Sequence, residues 1–295
     1  MSWIEQKNNK KENEENKTES KYQMAKAKML EQIKARQDRN KSFLCLSITG
    51  NPKVGKTGLA LDCRTEQEIK DGMKILVLDW DNGAEPTYKS CWGSDENILI
   101  FNPEERNIDG TVDWDASFEN SHAFIRLATE LIAEGNVKAV VLDGADKAYE
   151  GASSALRNSL VKQQKREGSV IHDTDSVRVS PLDWGTRNRI NNRLLDSFLA
   201  LQAHRILITH MKPIYGDIVN PTPIGEVPDW HKSTPAKFVQ MIHIDKRKIN
   251  NKTQYVAELQ ASKTRPDLVG TEWIIFSTNG DNTWNGMPEL RECDL

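Results

Sequence analysis

An α/β fold built around a mostly parallel β-sheet is predicted by three features of this 295-residue sequence. Short apolar segments of strand length alternate with longer segments of helical periodicity, which is typical of parallel βαβ units. A glycine-rich turn follows the first of these strands and opens a helix. Towards the end of the sequence, strands follow one another across short turns, so we predict an antiparallel edge to the sheet.

The elements follow one another in a consistent order. Segments 74–80 and 137–143 contain the apolar runs ILVL and AVVL, as expected for strands buried on both faces. Apolar residues within 118–132 recur at helical spacing. The full set comprises strands at 42–49, 74–80, 97–101, 137–143, 205–210 and 273–276, helices from Gly58 and over 118–132 and 184–203, and hairpin strands at 239–248 and 253–261.

A polar leader, residues 1–41, is expected to precede a single domain, residues 42–295. The first 20 residues are too polar to form a core and are predicted to be disordered. Residues 21–39 contain neither Pro nor Gly. They carry a thin apolar stripe at helical spacing, formed by Tyr22, Met29, Leu30 and Ile33.

Charge is unevenly distributed along the chain. The leader holds eleven Lys/Arg and seven Asp/Glu, a net charge of +4, and since the whole chain carries −3 the remainder carries −7. A basic leader can contact phosphate groups, and a solvated helix accounts for the same charge pattern.

Composition excludes several classes of protein. With 37% hydrophobic and 28% charged residues, the chain is neither collagen-like nor disordered throughout. No apolar run approaches the roughly 20 residues that cross a bilayer, and the N-terminus lacks the apolar segment of a signal peptide. We therefore expect a cytoplasmic protein with no membrane association. Four scattered cysteines predict neither a disulfide framework nor a zinc site: Cys45, Cys63, Cys91 and Cys293.

The most specific motif is a phosphate-binding loop of the pattern G-x-x-x-x-G-K-[ST], which here reads Gly50, Asn51, Pro52, Lys53, Val54, Gly55, Lys56 and Thr57, with Gly58 next. It follows a predicted strand and opens a predicted helix, the context that this motif requires. Backbone N–H groups of such a loop wrap a β-phosphate, while Lys56 reaches the β- and γ-phosphates and the Thr57 hydroxyl binds Mg²⁺. Residues 50–58 therefore predict a site for a nucleotide and Mg²⁺.

Acidic residues end two of the predicted strands. Asp143 follows four apolar residues, which favours a second Mg²⁺ ligand of the Walker B type, although an Asp that caps the turn before Gly144 has the same pattern. Asp79 and Asp81 end the strand after the loop. Asp81 is the better candidate for orienting the water that attacks the γ-phosphate, and a strand end with an Asx-turn is the alternative.

Together these motifs resemble those of RecA-like P-loop ATPases, a group that includes RecA and RadA recombinases, DnaB-type helicases, KaiC-like proteins and small phage-encoded recombinase-like ATPases. The resemblance covers residues 42–277, and the layout is most similar to phage-type AAA-domain proteins. It implies an ATP hydrolase that uses Mg²⁺ and assembles as a hexameric ring or a filament. A phage-encoded member would act in the host cytoplasm.

The resemblance also implies roles for single residues. Asp81 stands where the family has its catalytic Glu and is one methylene shorter, so Glu85 is an alternative. His210, at the end of strand 205–210, matches the polar sensor of the γ-phosphate, and an ordinary surface histidine is the alternative. Lys263 and Arg265 resemble the Lys-x-Arg pair that acts on the nucleotide of a neighbouring subunit, and a solvated basic turn would look the same.

Two insertions lie where RecA-like proteins carry DNA-binding loops, at residues 147–181 and 211–237. Their cationic and aromatic residues suit single-stranded DNA, namely Arg157, Lys162, Lys165, Arg166, Lys212 and Tyr215. The sequence thus predicts an ATPase that acts on single-stranded DNA in recombination or replication. A hexameric helicase, a packaging motor and a KaiC-like nucleotide-dependent protein switch remain alternatives, and the net negative domain favours the switch.

Overall fold

The fold is that of a computed structural model of the whole chain. The structure describes residues 21–30, 43–167, 179–180, 183–216, 221–249, 252–278 and 282–295. Ile33 of the predicted leader stripe lies outside these residues. Residues 43–295 belong to one compact unit, and helix α1, residues 21–30, belongs to another. Within the described parts of the chain, no helix is long and apolar enough to cross a membrane.

A nine-stranded sheet forms the centre of the larger unit, and a separate two-stranded hairpin extends from it. In chain order the strands are β1 Cys45–Gly50, β2 Lys74–Asp79, β3 Ile98–Phe101, β4 Val137–Asp143, β5 His204–Thr209, β6 Met211–Tyr215, β7 Pro223–Pro228, β8 Gln240–Ile249, β9 Lys252–Ser262, β10 Glu272–Thr278 and β11 Asn282–Trp284. The sheet has the order β11-β10-β9-β8-β1-β5-β4-β2-β3. It is parallel from β3 to β8 and antiparallel from β8 to β11, which confirms the predicted fold class.

Helices cover both faces of the parallel part. They are α2 Lys56–Leu61, α3 Glu66–Lys70, α4 Ala84–Cys91, α5 Trp114–Ala133, α6 Ala145–Arg166, α7 Trp184–Leu199 and α8 Pro288–Arg291. Because helices pack on each face, the central strands are buried on both sides and read as continuous apolar runs. An apolar core therefore lies on each side of the sheet.

The predicted loop after β4 is wrong over most of its length. Residues 145–166 form the 22-residue helix α6, and the predicted insertion extends beyond it into residues outside the described ranges. The helix buries small residues at helical spacing, including Ala148, Ala152 and Ala155. These alanines allow α6 to pack closely, so the basic residues predicted on a DNA-binding loop lie on a helix.

The second predicted insertion contains the hairpin of β6 and β7, which pair in an antiparallel register. Asp229 N donates a hydrogen bond to His210 O (2.8 Å), so the base of the hairpin adjoins the end of β5. A short 3-10 turn, Pro235–Lys237, leads on to β8. This insertion is therefore a regular projection from the end of a central strand.

Strand order determines which residues meet. Strand β5 lies between β1 and β4, and β2 lies on the far side of β4. The carboxyl ends of these four parallel strands share one edge of the sheet, which we call the carboxyl edge, and their starting ends form the amino edge. Residues that follow β1, β2, β4 and β5 therefore converge at the carboxyl edge, where ligands of open α/β sheets bind.

Candidate functional site

The phosphate-binding loop connects β1 to α2. Gly50 lies so close to β8 that a Cβ atom there would be 2.4 Å from Ile244 O, so only glycine fits. The helix begins at Lys56, directly after Gly55, whose φ of 92° lies in the left-handed region. Asn51, Pro52 and Lys53 are exposed at the tip, and the residues anchored beneath them are Val54, Lys56 and Gly58.

Lys56 is buried beneath this loop. Its Nζ donates hydrogen bonds to Gly50 O and Asn51 O, each 2.9 Å away. Burial lowers the pKa of Lys56 to about 8, and the nearby carboxylates, led by Asp143, oppose that shift. The side chain is therefore a poorly solvated cation held at the phosphate loop.

Thr57 and Asp143 meet across the gap between α2 and β4. The Thr57 hydroxyl donates a 2.7 Å hydrogen bond to Asp143 Oδ2. Burial, together with the negative charges of Asp79 and Asp81, raises the pKa of Asp143 to about 7 against the opposing effects of Thr57 and Lys56. Hard oxygen atoms among several carboxylates suit Mg²⁺, so these residues fit the ion that the motif implies.

Asp79 organises the turn after β2. Its carboxylate accepts backbone hydrogen bonds from Asp81, Gly83 and Ala84 at 3.1, 3.3 and 2.9 Å. Burial raises the pKa of Asp79 even though these donors favour its charged form. Asp79 thus fixes the start of α4, whereas the alternative interpretation of the sequence had Asp79 only end the strand and Asp81 form the Asx-turn.

Asp81 faces His210 at the carboxyl edge. The His210 Nε2 atom lies 3.6 Å from Asp81 Oδ2, and both residues line the cleft next to the phosphate loop. The close approach depends on Gly144, because a Cβ atom at that position would be 2.9 Å from both Cβ and N of Asp81. Residues from the ends of β2, β4 and β5 therefore meet at one point.

Glu85, the alternative to Asp81, lies elsewhere. Its side chain is 61% exposed and pairs with Lys89 on the surface of α4, 2.6 Å away. It is not among the residues that line the cleft. Asp81 is therefore better placed to contact a bound phosphate.

Asp146 is a site residue that the motifs did not reveal. It lies in the first turn of α6, and its Oδ2 atom is 3.1 Å from His210 Nδ1. Its Oδ1 atom also accepts a hydrogen bond from the His210 backbone N–H (3.3 Å). The spacing Asp143-x-x-Asp146 was visible in the sequence, but its partner lies 64 positions further along the chain.

An aromatic wall closes the cleft, which has a volume of about 430 Å³. Trp284 and Phe276 come from the antiparallel end of the sheet, and a Cβ atom on Gly58 would lie only 3.1 Å from the Trp284 ring. Trp284 Nε1 donates a 3.0 Å hydrogen bond to Asp62 Oδ2, which also binds Arg291. Sequence reasoning missed this wall because no short motif connects residues so far apart.

Lys263 and Arg265 lie at the amino edge of their own subunit. Lys263 N donates to Val239 O, and Val239 N donates to Cys45 O at the start of β1. The Arg265 guanidinium pairs with Asp267 at 2.8 Å and also with Asp294. Both residues are therefore remote from the phosphate loop of the same chain.

Acidic neighbours neutralise part of the predicted nucleic-acid surface. Lys162 Nζ is 2.8 Å from Asp115 Oδ2, and Lys212 Nζ is 2.7 Å from Asp229 Oδ1. Tyr215 is 54% exposed on β6. Three other candidates lie on α6, with Arg157 half-buried and the last two exposed: Arg157, Lys165 and Arg166.

Strand order and site together define a class of fold: a P-loop α/β fold, in which strand β5 lies between β1, the strand of the phosphate loop, and β4, the strand that ends at Asp143. The chain is similar to a RadB recombinase, with 12% identity over 78% of this chain and 87% of the other, at a TM-score of 0.41. It is also similar to a KaiC-like protein from Pyrococcus horikoshii OT3, with 12% identity over 79% and 84%, at a TM-score of 0.41. No protein-family model matches the sequence, and neither does any curated protein.

Proposed function

We propose that this protein is a Mg²⁺-dependent ATP hydrolase that assembles with further copies of itself and acts on single-stranded DNA in recombination or replication. One observation carries the hydrolase assignment. The Thr57–Asp143 pair (2.7 Å) and the Asp81–His210 pair (3.6 Å) border one cleft beside the phosphate loop. That arrangement supplies both a metal site and polar groups for the attacking water.

The phosphates of ATP would bind to the N–H groups of residues 51–57 and to the N-terminus of α2. Lys56 would exchange its carbonyl partners for the β- and γ-phosphates. Thr57 and Asp143 would hold Mg²⁺, which neutralises charge that develops on the phosphates during transfer. Asp81 then orients the attacking water, and His210 contacts the γ-phosphate side of the cleft.

The base would lie against the aromatic wall. Trp284 lines the cleft, and the Asp62 carboxylate fixes its indole N–H. A flat purine stacks on such a ring by burying apolar area, whichever hydrogen-bonding edge it presents. The wall therefore contributes affinity for purine nucleotides while the loop recognises phosphate.

A neighbouring subunit would complete the site. Lys263 is the better candidate for a cation acting in trans, because it is exposed at the amino edge. Arg265 must first leave Asp267 and Asp294 before it can reach a neighbour's phosphate. A cation supplied in trans can raise the rate of phosphoryl transfer by about 10³- to 10⁵-fold, which links hydrolysis to assembly.

Single-stranded DNA would bind beside α6 and the β6–β7 hairpin. Lys165 and Arg166 are exposed at the end of α6, and the exposed Tyr215 offers a ring for base stacking. The phosphate loop contacts the β6–β7 hairpin directly, because Asn51 Nδ2 donates a 2.9 Å hydrogen bond to Glu226 Oε2. This contact gives bound nucleotide a direct route to the DNA-binding region.

A KaiC-like switch with a protein partner is the second candidate. The pairing of Lys162 with Asp115 and of Lys212 with Asp229 favours it, because these lysines are less available to DNA phosphates. The charge of −7 over residues 42–295 points the same way. In this version nucleotide binding controls a protein complex, and DNA leaves the hydrolysis rate unchanged.

The test is Mg²⁺-dependent ATP hydrolysis with and without oligo-dT at two salt concentrations. We expect stimulation that weakens with salt, because released counterions contribute to DNA binding. Lys56→Ala should abolish activity. The double variant Lys165→Ala/Arg166→Ala should lose the stimulation, whereas Lys70→Ala on exposed α3 should keep it. Hydrolysis that oligo-dT leaves unchanged would favour the protein-partnered switch.

A further inference from the structure

His210 lies between two carboxylates at the carboxyl edge. Its Nδ1 atom is 3.1 Å from Asp146 Oδ2 and 3.3 Å from Asp146 Oδ1, and its Nε2 atom is 3.6 Å from Asp81 Oδ2. Asp81 comes from the end of β2 and Asp146 from the start of α6. The ring is therefore held between two different elements.

The chemistry of these groups determines where the ring carries its hydrogen. An ionised carboxylate only accepts hydrogen bonds, so the ring nitrogen that meets Asp146 must donate. Burial raises the pKa of Asp146, but the hydrogen bonds from His210 outweigh it and the net shift is downward, which keeps this carboxylate ionised. In the neutral ring Nδ1 thus carries the hydrogen and Nε2 carries a lone pair that faces Asp81.

We propose that Asp146 is a positioning residue that fixes the tautomer and direction of the His210 ring, so that Nε2 and Asp81 together accept hydrogen bonds from the attacking water. Two acceptors 3.6 Å apart can bind the two hydrogens of one water molecule. The arrangement compensates for an Asp at a position where a Glu would reach one methylene further. The inference rests on the proposed hydrolysis of ATP at this cleft.

The backbone around the pair reinforces this role. Asp146 Oδ1 also accepts a hydrogen bond from the His210 backbone N–H (3.3 Å), and Thr209 Oγ1 lies 3.4 Å from the same atom. One carboxylate therefore fixes both the ring and the strand end that carries it. An amide in its place would present either an oxygen or an NH₂ group to Nδ1 and would no longer impose one tautomer.

Asp146→Asn and His210→Gln test the proposal, alone and combined. We expect Asp146→Asn to lower kcat about 10- to 100-fold, as for other side chains that orient a functional imidazole, with the Kd for ATP unchanged. The double variant should be no slower than His210→Gln alone, because Asp146 acts through the ring. Asp115→Asn, in the first turn of α5, is the control for loss of a carboxylate near a helix N-terminus.

The tautomer itself gives a readout that does not depend on activity. In protein with ¹⁵N-labelled histidine, His210→Gln assigns the ring signals of His210, and we expect Nδ1 protonated and Nε2 bare in the wild type. Asp146→Asn should mix the two tautomers while the unfolding temperature shows a folded protein. A wild-type Nε2 that carries hydrogen, or multiplicative losses in the double variant, would overturn the proposal.

The two levels of inference fail differently. Wild-type protein that binds Mg-ATP and never hydrolyses it would end the proposed function, and the role of Asp146 with it. Active wild-type protein together with a fully active Asp146→Asn variant would end only the role of Asp146.

Discussion

At the amino edge of the central sheet the buried cations Lys138 and Arg64 each pair with a carboxylate, whereas at the carboxyl edge three carboxylates act on the single buried lysine, Lys56: those of Asp143, Asp146 and Asp81. Lys138 Nζ lies 2.6 Å from Glu68 Oε1, and buried Arg64 pairs with Asp95. The pairing of Lys138 with Glu68 holds the pKa of Lys138 above its usual value and that of Glu68 below it, in each case against the effect of burial. Lys138 and Glu68 therefore each stabilise the charged form of the other.

The carboxyl edge has the opposite balance. Asp143 and Asp79 both have raised pKa values because they are buried, and Asp143 also lies close to Asp81. Lys56 donates to backbone carbonyls in place of forming an ion pair with these acids. Buried carboxylates that lie near one another destabilise the unliganded protein, and a bound cation would offset that cost. Such groups of perturbed carboxylates in a cleft are typical of functional sites. The contrast favours the carboxyl edge as the location of a functional site, without reference to any motif.

The largest expected effect comes from Asp143→Asn. Removing one of the crowded carboxylates should lower ATP hydrolysis by roughly 100-fold or more, because metal stabilisation of the transferred phosphoryl group contributes several kcal/mol. The nucleotide-free variant should unfold at the same temperature as wild type or higher, since a strained charge is gone. Kinetics and thermal unfolding measure the two quantities. A variant that loses both activity and stability would contradict the view that the Asp143 carboxylate destabilises the nucleotide-free protein.

Trp284→Ala should have the next largest effect. Loss of the ring should weaken ATP binding about 5- to 150-fold, the range of roughly 1–3 kcal/mol found for bases stacked on aromatic side chains. Titration of Mg-ATP monitored by calorimetry measures it, with Trp284→Phe as the conservative control. Equal affinity of wild type and both variants for Mg-ATP would show that the base does not bind against Trp284.

This wall also connects the two edges. Arg291 donates to Asp62, the acceptor of the Trp284 indole N–H, and Arg291 O accepts a hydrogen bond from Lys138 Nζ (3.2 Å). Arg291 therefore joins the amino edge of the sheet to the aromatic wall.

Glu68→Gln tests the amino edge. It leaves Lys138 without its ionic partner, so we expect the free energy of unfolding to fall by about 1–2 kcal/mol, as for loss of a partly buried charged hydrogen bond. The rate of ATP hydrolysis should stay near wild type, because Glu68 lies at the amino edge and the phosphate loop at the carboxyl edge. Denaturant unfolding measures the stability and steady-state kinetics the rate of hydrolysis. A variant that is as stable as wild type but inactive would contradict the structural role given to Glu68 at the amino edge.

A fall in pH should change the contributions of the two edges to the free energy of unfolding in opposite directions. Asp143 has a pKa of about 7 in the folded state, above that of an Asp in the unfolded chain, so the folded state takes up the proton at a higher pH. Wild type therefore gains stability relative to Asp143→Asn as pH falls from 7 towards 4. The lowered pKa of Glu68 means that its contribution is present above about pH 4.3, the usual value of Glu, and is lost as pH falls through its folded pKa. Unfolding of the three metal-free proteins at pH 7, 5.5 and 4 checks the sign for Asp143, and unfolding at pH 3 checks the sign for Glu68.

Local motifs predicted much of the fold and the phosphate loop. The strands from β1 to β5 and the β8–β9 hairpin were visible in apolar runs and turns, because burial on both faces leaves that pattern. Helix α6 was missed even though Ala148, Ala152 and Ala155 repeat at helical spacing, since basic residues suggested a loop. Asp146 and Trp284 were missed for a different reason: their partners are distant in sequence, and only tertiary structure brings them together.

The Asp62–Trp284 hydrogen bond has a consequence for the order of synthesis. Its two residues are 222 positions apart, so a ribosome adding about 5–20 residues per second makes Trp284 about 10–45 s after Asp62. During that interval the nascent chain holds residues 50–57 without the Trp284 side of the cleft. Folding in that interval must rely on the apolar contacts of the parallel strands.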